Sequence, residues 1–405
     1  TLTQPTYSGY SFTGWTANKG TISGNTLTIP ANTSGNITIT ANWAHNDVSL
    51  THGSTVTYYT GGLVALKEAA ADAQSGDIIT LLCSIDASNA YQYEGPSNIT
   101  FKSGDFALEG YLLLSGQTIT FDNFKAWSID TSTGGNEETN KNQVITIKNS
   151  TIGGGNTSTT ISAGPCTTFN IDNSTITGII ELCGSGEGKN TINILDNTTI
   201  VSDKDITIYS RDPYNKVVLN GSNSVIKNTY TGSNSSTAIY RATLELVKGT
   251  ISSNGYSADL DTIEGLNLPI KILGDVSVGK IKFGIGWSFD ISSGGATFDL
   301  EFMSLPTTSQ ITIASGVTIT KGHTITFNSN GGSSSVYYLY SSTSESTRNS
   351  MFEHVTLVDS YNLMKPNATQ GKYTKDSTYY GMLYLGNVVN VTQQKAYTLL
   401  GDAVA

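Results

Sequence analysis

The side chains able to do chemistry are sparse. Of 405 residues only 13% are charged, against about 25% in an average soluble domain. Arginine occurs only at Arg211, Arg241 and Arg348. Two of these lie among aromatics, in Tyr209-Ser-Arg-Asp-Pro-Tyr214 and Tyr240-Arg241. Aromatic rings flanked by guanidinium and carboxylate groups suit sugar binding. The ring covers an apolar sugar face, while Arg and Asp make paired hydrogen bonds to hydroxyls. Tyr209, Arg211, Asp212, Tyr214, Tyr240 and Arg241 are therefore the candidate ligand contacts, with Asp203, Asp205 and Tyr230 in nearby loops. The plainer alternative is a surface ladder of tyrosines with no ligand.

The remaining candidates are weaker. Asp259, Asp261 and Glu264 could hold Ca²⁺, but acids clustered in a turn are more often simply solvated, so no cofactor is indicated. His354 and Asp359 share a strand pattern that leaves His354 on the surface. Asp172 and Asp196 are one repeat apart, and stacked strands would set them about 4.8 Å from each other, close to a retaining glycosidase pair. Both fall at a turn edge, where a structural role is the better reading. Cys83, Cys166 and Cys183 contain no CxxC, and the four histidines are scattered. That spacing matches no zinc motif; the cysteines read as buried or half-buried thiols. No catalytic residue and no metal ligand is assigned.

What would position the tyrosines is a repeat. Lys148-Asn-Ser-Thr-Ile152, Asp172-Asn-Ser-Thr-Ile176 and Asp196-Asn-Thr-Thr-Ile200 align at a constant step of 24 residues. The register yields an apolar column of Ile147, Ile171, Leu195 and Leu219. A second column two residues earlier holds Ile145, Phe169, Val217, Leu244, Ile270 and Ile311. Asn193 interrupts it, which predicts a bulge or slip near residues 192–195. Self-similarity at this period means a solenoid. No helix fits inside the repeat, so each coil is strands and tight turns. Asn149, Asn173 and Asn197 fall at a corner, where Asn tolerates the left-handed conformation and can hydrogen-bond along the stack. Third strands are read at 178–182, 205–209 and 237–241, making Tyr209 and Tyr240 neighbours on successive coils. Roughly ten coils fit between residues 117 and 360. An antiparallel sandwich, the alternative fold, does not explain the constant step.

The ends differ from the middle. Residues 62–76 read as an amphipathic helix with Leu63, Leu66, Ala70 and Ala73 on one face, stopped by Gly76. The buried strand 77–83 follows. Such a helix covers the open end of a solenoid, whose unpaired backbone would otherwise recruit other chains. Before it stand Gly9-Tyr-Ser-Phe-Thr-Gly-Trp15 and Ile37-Thr-Ile-Thr-Ala-Asn-Trp43, two alternating strands whose Tyr10, Phe12, Trp15 and Trp43 form a small aromatic core. Tyr397-Thr-Leu-Leu-Gly-Asp-Ala-Val-Ala405 reads as a second helix after a strand at 389–392. The divisions are thus 1–45, a small β module; 46–86, a strand-helix-strand cap; 87–388, the solenoid; and 389–405, a far cap or the start of a following module.

The GYxFxGW…AxW pattern of the first module resembles the Listeria–Bacteroides repeat, the internalin B-repeat. The repeat and its entry helix resemble the parallel β-helix (pectin-lyase-like) family. The fold class is therefore all-β, a right-handed parallel β-helix solenoid, with handedness taken from the crossover preference. The resemblances imply an extracellular bacterial surface protein, an adhesin or rod that shows its loops to a host or bacterial glycan or protein. A carbohydrate-active enzyme, lyase or hydrolase, is the alternative, although the dense acid-plus-basic signatures of such enzymes are not seen. A net charge of −10 argues against nucleic acid, and no run of 18 apolar residues would enter a membrane. The chain opens at Thr1 without a leader and reads as part of a longer exported polypeptide, attached to the wall through other parts.

Overall fold

A computed structural model describes residues 1–132, 143–155, 159–184, 188–232 and 236–260. Beyond these it describes strand backbone between Ile270 and Tyr397, the side chains of Val276 and Val278, and Val404. The repeat is a parallel β-helix of about six turns. The strand Val144–Lys148 shows why. Ile145 and Ile147 are buried, while Val144, Thr146 and Lys148 alternate outward. A strand with one apolar face has to cover it, and a solenoid does so with its own next coil. Ile147 accordingly lies opposite Phe121 on one side and Ile171 on the other. The file continues through Ile194, Leu219 and Leu246, all fully buried. Each such side chain contributes about 1.5–3 kcal/mol. The same parallel pairing runs on in the backbone through Ile270–Ile272, Ser288–Ile291 and Gln310–Ile313.

One residue of the expected file is replaced. Ile194, and not Leu195, fills the interior place, and Leu195 is half-exposed. The strand Thr191–Ile194 pairs without a bulge. The slip sits at the corner after it, where Leu195 is the extra residue before Asp196-Asn197. Thr199 and Ile200 then recover their places opposite Thr175 and Ile176. The physical reason is that Ile192 and Ile194 both gain from burial, and a one-residue shift would expose both. Asn193 turns outward, and its Nδ2 donates to Asn170 Oδ1 at 2.8 Å.

The corners carry out the expected role of Asn. Asn123, Asn149, Asn173, Asn197 and Asn223 are all left-handed, with φ between 44° and 59°. Asn173 Nδ2 donates to Asn149 Oδ1 at 2.8 Å, and Asn223 Nδ2 to Asn197 Oδ1 at 3.2 Å. Just inside runs a buried hydroxyl column of Ser150, Ser174, Thr198 and Ser224. Ser174 Oγ accepts the Ser150 N–H and Ser224 Oγ the Thr198 N–H. The Ser150, Ser174 and Ser224 hydroxyls thus satisfy buried corner N–H groups, Ser150 Oγ accepting that of Phe124. Second strands such as Thr175–Thr177 and Thr199–Ser202 follow the corner. Third strands at Thr159–Ala163, Ile179–Leu182, Ile206–Ser210, Thr237–Tyr240 and Tyr256–Leu260 stack in parallel.

At the entry, helix α1 (Leu63–Asp72) buries Ala65, Leu66, Ala69 and Ala70 in the same core as Ile79, Ile85 and Ile99. It ends at Asp72, earlier than expected. Gly76, with φ 96°, serves the following turn instead, where its N–H is drawn to Asn98 O of the solenoid. Leu63 and Ala73 are only partly buried. A hairpin, Val48–His52 with Thr55–Tyr59, adds antiparallel to Ile78–Leu81, which then stacks in parallel on Ile99–Lys102. Ahead of it, Tyr10–Ala17 pairs antiparallel with Ile39–His45. Phe12 meets Trp15 and Trp43 edge-on at 5.2 and 5.6 Å, while Tyr10 stacks on Tyr7. The aromatic cluster forms, but it is half-exposed and is no closed core. At the far end Val388–Asn390 pairs antiparallel with Lys395–Tyr397; residues 398–403 of the expected helix lie outside the described residues.

Candidate ligand-contact site

The third strands place one outward residue per coil in register. Glu181 lies opposite Tyr209, Tyr209 opposite Tyr240, and Tyr240 opposite Asp259. Their neighbours Ile180, Ile208, Ile239 and Ala258 are buried, so strand alternation turns the polar file outward. The rings of Tyr209 and Tyr240 stack with centroids 5.6 Å apart and planes 11° from parallel. Each therefore spends one ring face on the other.

The arginines brace this stack. Arg211 sends Nε and Nη2 to Oε1 of Glu181, each at 2.7 Å. Arg241 has a left-handed backbone, φ 59°; its N–H donates to Asp259 O and its Nη1 to Arg211 O at 2.9 Å. Tyr209, Tyr240, Arg211 and Arg241 are thus brought together, with Glu181 as a fifth member that the residue-type search passed over. The strand ends 178–182 and 205–209 read from the sequence set Leu182 opposite Tyr209; the observed register, one residue different, brings Glu181 there. The other two candidates stand apart in role. Asp212 Oδ1 accepts the Tyr214 N–H at 2.9 Å and shapes the turn. Tyr214 is exposed beneath Lys189, whose Nζ lies 4.8 Å from the ring centre.

The minor candidates are local. Asp203 pairs with Lys204 in an exposed loop, Asp205 Oδ1 accepts the Ile206 N–H, and the Tyr230 N–H donates to Asn228 Oδ1. Asp196 Oδ1 accepts the Ser222 N–H across its corner. Asp261, Glu264, Arg348, His354 and Asp359 lie outside the described residues.

One group of ligand-type atoms was not foreseen. His45 Nδ1, a carboxylate oxygen of Asp47 and Cys83 Sγ all lie within 4.8 Å of one another. Asp47 Oδ1 accepts from His45 Nδ1 at 2.7 Å and from Cys83 Sγ at 3.3 Å. Its Oδ2 accepts the Gly61 and Gly62 N–H groups, at 2.7 and 2.8 Å, beside the start of α1. Burial acts to raise the Asp47 carboxyl, but these four hydrogen bonds outweigh it and hold it at about 2. Burial and the neighbouring Asp47 push the Cys83 thiol up to about 11. No local motif could have disclosed the group, because Cys83 reaches Asp47 only through the antiparallel pairing of Val48 with Leu81. Cys83, Cys166 and Cys183 are all half-buried.

No family model, curated protein or solved structure matches the chain. Among the described residues no helix is long and apolar enough to cross a membrane.

Proposed function

We propose that this chain is the rod of an extracellular bacterial surface protein, an adhesin whose third face contacts a glycan or a glycan-bearing protein. The observation behind this reading is the Tyr209–Tyr240 stack flanked by the Glu181–Arg211 pair. Aromatic rings beside guanidinium and carboxylate groups suit the apolar faces and hydroxyls of sugars. The low charge and the resemblance of residues 1–45 to a surface-protein repeat support the location. The test is a glycan array probed with the wild type, Tyr209→Ala, Tyr240→Ala and Arg211→Ala. Binding by the wild type that weakens about tenfold or more in the variants, a loss of at least about 1.4 kcal/mol, is expected. No binding by the wild type retires the glycan reading.

The enzyme alternative needs two carboxylates across one bond, about 5–9.5 Å apart. In this file Asp130 and Glu181 are separated by two coils, through Ser162, or roughly 10 Å at 4.8 Å per coil. Glu181 is engaged by Arg211, and Asp130 accepts from Ser132. This spacing and these neighbours support keeping the enzyme as the second reading. Release of unsaturated or reducing sugars from uronic-acid polymers by the purified chain would overturn this order.

A further inference from the structure

We propose that His45, Asp47 and Cys83 form a binding site for a Zn²⁺-type ion at the joint between the N-terminal module and the solenoid cap. The three residues come from separate elements. His45 ends the strand Ile39–His45 of the module. Asp47 precedes the cap strand Val48–His52. Cys83 follows the cap strand Ile78–Leu81. An ion held by all three clamps the module to the cap.

The donor set selects the metal. One imidazole nitrogen, one thiolate and one carboxylate oxygen suit Zn²⁺ and its analogues Co²⁺ and Cd²⁺, whereas Ca²⁺ and Mg²⁺ take oxygen ligands. The geometry is close to what coordination needs. Bonds of about 2.0–2.3 Å in a tetrahedron set the ligand atoms roughly 3.3–3.6 Å apart. Cys83 Sγ and Asp47 Oδ1 are already 3.3 Å apart. His45 Nδ1 and Asp47 Oδ1, at 2.7 Å, need to open by about half an ångström, and the His45 side chain, 47% exposed, has room to swing. On binding, the ion takes the Nδ1 lone pair of the neutral imidazole, whose single ring proton then sits on Nε2, having moved there through solvent, and it replaces the Sγ proton, which leaves to solvent. The Gly61 and Gly62 N–H groups hold the second Asp47 oxygen and orient the carboxylate, as outer-shell donors do in metal sites. Three protein ligands leave a fourth position for water or a group from another molecule.

The test uses the metal ions alone on the whole chain. Co²⁺ should give a thiolate-to-cobalt charge-transfer absorption that Cys83→Ser abolishes, His45→Ala weakens and added Zn²⁺ displaces. Zn²⁺ should also slow alkylation of Cys83 in the wild type, read by peptide mass spectrometry, with Cys166 and Cys183 as internal references. The second measurement needs no variant, so a folding defect in a mutant does not decide the matter. The proposal is overturned if no sulfur-to-metal band appears, if the band survives Cys83→Ser, or if Zn²⁺ leaves Cys83 alkylation unchanged.

Discussion

Replacing Asn173 separates two contributions that the Asn corner combines. Its backbone is left-handed, φ 44°, and its side chain donates to Asn149 Oδ1 at 2.8 Å. Alanine in that conformation meets a strain of about 1–2 kcal/mol and also loses an exposed neutral hydrogen bond, worth about 0.5–1 kcal/mol. Asn173→Ala should therefore cost about 2 kcal/mol. Asn173→Gly loses the same bond without the strain, and its added freedom in the unfolded chain costs a few tenths more, for about 1 kcal/mol. Asn170 is the control. It accepts a comparable bond from Asn193 at 2.8 Å, but it lies within the regular strand Thr168–Asp172, so Asn170→Ala should cost only about 0.5–1 kcal/mol. The assay is urea unfolding followed by far-UV circular dichroism. With a slope of about 2 kcal/mol per M, the Ala and Gly variants at 173 should differ by about 0.5 M in midpoint. If Asn173→Ala unfolds together with Asn173→Gly, or no earlier than Asn170→Ala, the corner conformation is not what Asn supplies.

Three further outcomes follow from other contacts. Ile171→Ala removes a fully buried side chain from the interior file and should cost about 3–4 kcal/mol, read in the same urea experiment; a cost under about 1 kcal/mol would mean the file is not packed. Burial acts to raise the Asp122 carboxyl, but hydrogen bonds from Asn149 and Lys102 and the charges of Lys148 and Lys102 hold it below its ordinary value. A depressed folded-state pKa stabilises at pH values above the unfolded carboxyl's, about 4, and that stability is lost as pH falls through the folded value. Asp122→Asn should lower the thermal midpoint near neutral pH and leave it unchanged in strong acid, flattening the acid limb; a pH-independent loss would contradict the assignment. Arg211→Ala removes an ion pair whose arginine is exposed and should cost under about 1 kcal/mol, so its thermal midpoint should stay near that of the wild type.

The linear sequence determined the periodic part of this protein. A step of 24 residues, alternating Ile and Thr, and Asn at a constant offset are local facts, and stacking identical coils turns each into a column. That is why Ile147, Ile171, Asn149, Asn173 and the Tyr209–Tyr240 pair could be read in advance. Glu181 was not legible in this way, because the third strands follow no constant step and their register is set by the backbone pairing of Ile180 with Ile208. Tertiary structure decided what periodicity does not reach. Whether Ile194 or Leu195 entered the core depended on the joint burial of Ile192 and Ile194, with the corner absorbing the odd residue. α1 ended at Asp72, where Ala73 turns extended, and Gly76 fell in the following turn with its N–H on Asn98 O. The meeting of His45, Asp47 and Cys83 depends on an antiparallel hairpin laid across the first coil, a contact between elements that share no repeat and so leave no trace in spacing.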